Sequence, residues 1–253
     1  MKKGVFSQEG LKLIAAMAML LDHFGATVVY SAYMDAVITG NPAAANRLVG
    51  LYYCLRILGR IAFPIYCFQL VEGFHHTRDL KKYVKRLAVG LVLSEIPFDL
   101  AFSGGLDWSS SSVMVTLLLG VLMMAGMETF RDWRKLLAIP PFMFLAELLG
   151  SDYGGNGIAL IAILYLTRGI PHEKLWRTAA MTVLLWFGIT VSVFGLEIPL
   201  ELFGLVSLVP IFLYDGRKVT KSKWVQWAFY LFYPVHILLL WAVDRLLFGV
   251  VPV

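Results

Sequence analysis

The chain is poor in cysteine and in charge, and it has no long hydrophilic stretch. Its two cysteines, Cys54 and Cys67, lie thirteen residues apart in one hydrophobic segment. That is too far for a disulfide along a single helix. No CxxC or HExxH pattern and no carboxylate cluster occurs, so no metal is expected. Only 15% of residues are charged against 59% hydrophobic, and mean hydropathy is +0.74. A water-soluble fold could not hide that much apolar surface. With no linker, low-complexity tract or soluble portion, residues 1–253 read as one membrane domain. The opening MKKG and apolar run lack a small-x-small cleavage site, and the run carries Lys12, Asp22 and His23. The first segment is therefore expected to be retained rather than removed as a signal peptide.

The net charge of +5 is not that of a nucleic-acid binder. Such a protein gathers its basic residues on one face, among aromatics for stacking. Here they alternate between gaps. About nine apolar stretches are long enough to cross a bilayer or nearly so, with estimated limits 11–31, 48–70, 82–102, 112–129, 134–150, 156–169, 175–195, 199–214 and 224–248. The tail holds Lys2, Lys3 and Lys12. The second gap holds Arg78, Lys81, Lys82, Lys85 and Arg86, and the fourth Arg131, Arg134 and Lys135. The sixth holds Arg168, Lys174 and Arg177, and the eighth Arg217, Lys218, Lys221 and Lys223. The other gaps and the C-terminal end hold only Arg47 and Arg245. This is the positive-inside pattern of an all-α, polytopic helical bundle with a cytoplasmic N-terminus. The odd count puts the C-terminus outside. The basic gaps also favour anionic lipid headgroups. Three spans are short, and one of them could be broken or re-entrant.

Depth then sorts the ionisable side chains. His23 is twelve residues beyond Leu11, ~18 Å along a helix and close to the midplane. Arg60 in the second span, Glu95 in the third and His236 in the last fall near the same level, with Arg56 one turn from Arg60. Charge at this depth is costly and faces the bundle interior, paired or wet. Asp22, His23, Arg60, Glu95 and His236 are therefore the candidate catalytic layer, with Arg60 expected to pair with Asp22 or Glu95. Lys12 and His23 are three helical turns apart on one face. Asp22 points ~100° away from His23. Arg56 and Arg60 share a face at i, i+4. Pro64 is expected to kink the second span below Arg60, and Pro97 to loosen the helix beside Glu95. Tyr230, Tyr233 and His236 share a face of the last span, which Pro234 bends.

The segments LKLIAAMAMLLDHFG, RILGRIAFPIYCFQLVEGFHHTRDLKKYVKRL, SEIPF, DYGGNG, LYDG and FYLFYPVH together resemble the TraX family over about Leu11 to Leu240. The block SSVMVTLLLG is similar only loosely, and Thr116 alone is drawn from it. The separation of Lys12 and His23, and the late YPVH, are also similar to integral-membrane acyltransferases, which carry arginine in place of Lys12. The resemblance implies pilus biogenesis and a membrane acetyltransferase using acetyl-CoA. Its donor phosphates would meet Lys12, Arg56, Arg78, Lys82 or Arg86. His23 would act as base, Arg60 as oxyanion donor, and Asp22 and Glu95 as its counter-charges, with His236 secondary. Tyr230, Tyr233 and Glu72 would contact the acceptor, a pilin or peptide amine or an amino sugar. The expected location is the bacterial plasma membrane. A proton-coupled transporter would use the same residue types, and a scaffold for pilus or peptide export remains a third reading. Neither the acceptor nor the oligomeric state is legible.

Overall fold

The computed structural model describes residues 4–107, 109–183, 190–193, 196–220 and 222–249. Lys2, Lys3, Lys221 and the middle of the seventh expected span lie outside the described residues. The fold is mostly helical. The first long element is α1 (Gln8–Phe24), a π-helical turn (Gly25–Val29) and α2 (Tyr30–Ile38) in continuous succession. Ser7 starts it by accepting the Gly10 N–H at 3.1 Å, a side-chain cap on an otherwise orphaned donor. The second is α3 (Pro42–Gly59) and α4 (Ala62–His76), interrupted at Arg60 and Ile61. Proline has no N–H for the carbonyl four residues earlier. Pro64 therefore releases the Arg60 carbonyl, and the chain breaks there instead of bending below it. Pro64 itself sits in the first turn of α4, where the missing donor costs nothing.

Next come α5 (Leu80–Phe102), α6 (Val113–Glu128), a 3₁₀ turn (Asp132–Ala138) running into α7 (Ile139–Leu148), and α8 (Gly154–Leu166). Asp79 caps α5 by accepting the Lys82 N–H at 3.0 Å. α5 runs on through Pro97, and α11 (Lys223–Phe248) through Pro234.

The expected helix over 175–195 is not found. Helix α9 (Glu173–Met181) is short, and β1 (Thr190–Val193) pairs antiparallel with β2 (Leu196–Pro199). Thr190, Val191 and Ile198 are β-branched and suit a strand better than a helix. A 3₁₀ stretch (Leu200–Ser207) and α10 (Leu208–Phe212) follow. Among the described residues, three elements are long and apolar enough to cross a membrane: Gln8–Ile38, Pro42–His76 and Trp224–Phe248. The apolar helices Val113–Glu128, Gly154–Leu166 and Leu200–Phe212 are shorter. α5 has the length, but its first turns carry Lys81, Lys82, Lys85 and Arg86.

The interior is built on α4, α6 and α8, where Ile65, Val121, Met123, Ile158 and Ile161 are fully buried. The outside is apolar too: Val92, Phe144, Leu239 and Leu246 are exposed. Water would penalise such a surface, whereas lipid accepts it. The protein is thus a membrane protein by length, composition and surface.

One end of the bundle collects the basic gaps. The Val5 N–H donates to the Leu213 carbonyl at 2.8 Å and the Gln8 N–H to the Arg217 carbonyl at 2.9 Å. Glu9 accepts the Val219 and Thr220 N–H groups at 2.9 and 3.2 Å. Arg168 Nε donates to Glu72 at 2.7 Å, and the Tyr165 hydroxyl to Glu128. Segments far apart in the chain thereby place the tail and the second, fourth, sixth and eighth gaps together.

At Gly59 α3 lies tight against α1: a Cβ there would lie 2.3 Å from the Asp22 Cβ. Gly59→Val should push the helices apart and cost roughly 1–3 kcal/mol, as overpacked cores do. A lowered melting midpoint in detergent checks this, and an unchanged midpoint refutes it.

Candidate active site between two arginines and two histidines

Four charges meet in the interior. Asp22 of α1 accepts from Arg56 of α3 through one oxygen and from Arg60 at the α3–α4 break through the other. Arg60 also donates to Glu201 at 2.6 Å, and its Nη1 lies 3.4 Å from the Tyr153 hydroxyl. Arg60 Nε bonds the Arg56 carbonyl at 3.2 Å. Two cations and two anions cancel, so the cluster can be buried as a neutral unit. Tyr153 stacks on Phe63 with centroids 3.6 Å apart and holds a left-handed backbone, φ 65°. Such a conformation in a bulky residue persists only where its surroundings enforce it. Here the enforcement includes Thr116, whose hydroxyl donates to the Asp152 carbonyl. Thr116 is thus an anchor of the DYGGNG loop.

Asp22 is one residue before His23, so the same helix presents His23 on a different face. His23 Nδ1 lies 2.7 Å from His236 Nε2. His236 Nδ1 lies 2.6 Å from the Phe232 carbonyl. A carbonyl only accepts, so the neutral His236 carries its proton on Nδ1 and accepts at Nε2. His23 then donates from Nδ1, and its Nε2 keeps a free lone pair. That is the arrangement of an oriented general base. Phe102 and Tyr233 flank His23, with ring centroids at 5.4 and 5.9 Å.

A cavity of about 550 Å³ opens at the end where the basic gaps gather. Lys12, Arg78, Lys82, Arg86 and Lys218 line it, with Tyr230, Tyr233 and Met19 further along α11 and α1. Met19 is one turn before His23, and Tyr233 touches both histidine rings. Lys12 Nζ lies 5.6 Å over the Phe229 ring. Asp79 sits beside Lys82 Nζ at 2.9 Å. The Lys82 N–H, bonded to Asp79, is the main cause holding that carboxyl below its ordinary pKa.

Several expectations change. Glu95 is not a partner of Arg60: it accepts from Ser112 Oγ at 2.6 Å and closes the α5–α6 connection. It lies fifteen residues into α5, ~22 Å along the axis. Arg56 does not line the cavity, because Asp22 holds it. Glu72 does not line it either, because Arg168 holds it. Arg60 does not suit an oxyanion, since both terminal nitrogens are engaged. Sequence reasoning missed Glu201, the only acid in the apolar stretch 199–214. Two arginines set against Asp22 alone were the signal.

The family described as TraX protein matches residues 7–244. The chain belongs to the TraX family. Among its relatives is the probable fimbrial assembly protein FimC, serogroup H1, of Dichelobacter nodosus, 31% identical over 93% of this chain and 94% of the relative. Protein TraX of Escherichia coli strain K12 is 23% identical over 91% of this chain and 84% of its own length. No solved structure matches. In this TraX-family chain, four of the resembling segments meet at the charge cluster and the histidine pair: LLDHFG, LGRIAFP, DYGGNG and YPVH.

Removing one member of the charge cluster leaves another uncompensated. Glu201→Ala should destabilise the protein by about 3–5 kcal/mol, seen as a lowered melting midpoint and reduced folded yield. Glu201→Asp, which keeps the charge, should recover part of the loss. Equal stability of Glu201→Ala and the parent would remove Glu201 from the cluster.

Proposed function

We propose that this TraX-family protein is a membrane acetyltransferase that moves an acetyl group from acetyl-CoA to an amine or hydroxyl acceptor. The observation that carries this reading is the oriented His23–His236 pair lying directly behind Tyr233, which lines a cavity with a basic mouth; neither histidine lines that cavity itself. The basic end faces the cytoplasm, where the donor is made, and the protein sits in the bacterial plasma membrane.

The phosphates of coenzyme A meet Lys12, Arg78, Lys82, Arg86 and Lys218. Asp79 offsets part of the Lys82 charge, so Lys12 and Arg86 contribute most. The pantetheine arm follows Tyr230 and Tyr233 inward and brings the thioester toward His23. His23 Nε2 takes a proton from the acceptor as its nitrogen or oxygen attacks the acetyl carbon. The C–S bond breaks, and the proton passes from His23 to the departing thiolate. His236 fixes the tautomer and ring plane of His23 in the manner of a triad's third member. Asp22, Arg56, Arg60 and Glu201 hold α1 against α3 so that His23 keeps its place. The relatives' connection with pili and fimbriae makes a pilin or peptide N-terminus a candidate acceptor, beside an amino sugar.

Single-turnover transfer from labelled acetyl-CoA in nanodiscs tests this. His23→Gln should lower the transfer rate by about 10²–10⁴-fold with acetyl-CoA binding retained. Lys12→Ala with Arg86→Ala should instead weaken acetyl-CoA binding. No transfer by the parent protein, combined with proton flux in sealed vesicles, would favour a transporter and sink the proposal.

A further inference from the structure

Helices α1, α4, α5, α6 and α11 line the donor cavity. The opposite ends of α5 and α11, with the continuation of α1 through the π turn into α2, enclose a second cavity of about 180 Å³. Thr27 and Tyr30 border it beyond α1, Phe102 at the end of α5, and Trp241 and Asp244 on α11, with Tyr52 of α3 closing one side. From Lys12 to Tyr30 is eighteen residues, ~27 Å of helix, close to the thickness of a bilayer's hydrocarbon.

The histidine pair stands between the two spaces. Tyr233 borders the first cavity and touches His23; Phe102 borders the second and touches His23 from its own side. The Thr27 hydroxyl donates to the His23 carbonyl at 2.6 Å. Two residues lining the second cavity carry buried polar atoms without a partner: the acceptor Oδ1 of Asp244 and the donor Nε1 of Trp241. Buried polar groups are normally satisfied; neither atom is open to the cavity as it stands, and a ligand offering one donor and one acceptor would complete both after a small rotation of the two side chains. Arg245 also lines the cavity, so a bare cation is not the best fit. Asp244 is eight residues beyond His236, ~12 Å along α11.

We infer that the second cavity is the acceptor site, and that the acceptor enters from the membrane face opposite the donor. The inference rests on the acetyl-transfer reading and gives that reading its second substrate. The ligand chemistry is a primary amine on an elongated scaffold, with an amide or hydroxyl group ~12 Å behind the amine. That rear group takes Asp244 and Trp241, Tyr30 and Tyr52 flank the scaffold, and the amine reaches His23. The ammonium releases its first proton to water at the outer face. The neutral amine then forms the N–C bond to the acetyl carbon, the C–S bond breaks, and His23 carries the second proton to the thiolate of coenzyme A.

Two measurements test the site. In a Cys54→Ser background, Tyr52→Cys should react with a membrane-impermeant maleimide in right-side-out vesicles only, and Lys82→Cys in inverted vesicles only. Tyr30→Cys repeats the test should Tyr52→Cys not fold. Labelling from the Lys82 side, or from neither side, overturns the inference. In nanodiscs, Asp244→Asn and Trp241→Phe should each raise the acceptor KM about tenfold and leave acetyl-CoA affinity at the wild-type value. The probes are a tetrapeptide with a free N-terminus and a glucosamine trisaccharide; the one whose KM depends on Asp244 identifies the scaffold. Unchanged KM for both probes overturns the inference. If acetyl-CoA fails to protect Lys82→Cys, the donor reading falls, while the sidedness of Tyr52→Cys still decides the second cavity.

Discussion

The structure depends on one electrostatic constraint: two arginines in the interior of a lipid-embedded bundle must be neutralised there. Arg56 and Arg60 come from a single helical stretch, and Asp22 spans both of them. Asp22 alone leaves one positive charge over. Glu201, more than 140 residues from Arg60 in the chain, supplies the balance. In a low-dielectric interior an isolated charge is far costlier than a compensated cluster. The cluster consequently dictates which elements must be neighbours: α1, the α3–α4 break and the 3₁₀ stretch after the β-hairpin. At Gly59 the missing side chain leaves room for α1 to close on α3.

The histidine pair is a by-product of that closure. Asp22 fixes the rotation of α1 about its own axis, and rotation decides where His23 looks. The short chain from the Phe232 carbonyl through His236 to His23 then assigns each proton without any further group. Structural ions and the chemical pair share a helix but not a face. The first is held by ion pairs on every member, while the second leaves a lone pair on His23 Nε2.

What was legible in the chain was local or periodic. The basic gaps could be read because lysine and arginine mark one side of a bilayer whatever the helices do between them. The common depth of His23 and His236 followed from counting rise per residue, as did the nearness of Asp22 to Arg60. Counting could not pair Glu95, because depth along a helix does not say which neighbour the side chain faces, and Glu95 faces Ser112. Glu201 was invisible for another reason: its partner is set by the packing of the chain's two halves, which no spacing encodes. Glu72 and Arg56 looked available because sequence shows a charge without its counter-ion. The paired strands Thr190–Val193 and Leu196–Pro199 were hidden in an apolar run, where helix and strand are hard to tell apart.

The π-helical turn at Gly25–Val29 separates two faces that an unbroken α-helix would have locked in phase. A π turn accommodates about one residue more than an α turn, which rotates everything beyond it by ~100° relative to what precedes it. His23 lies before the turn and Tyr30 after it. Each can therefore take the azimuth its own neighbours require: His23 against α11, Tyr30 beside Tyr52 at a ring distance of 5.8 Å. The wide turn works as a coupling joint in a transmembrane shaft. It lets the two halves of one element answer to different partners at different depths, so residues on either side of it can change in evolution without dragging the other half out of register.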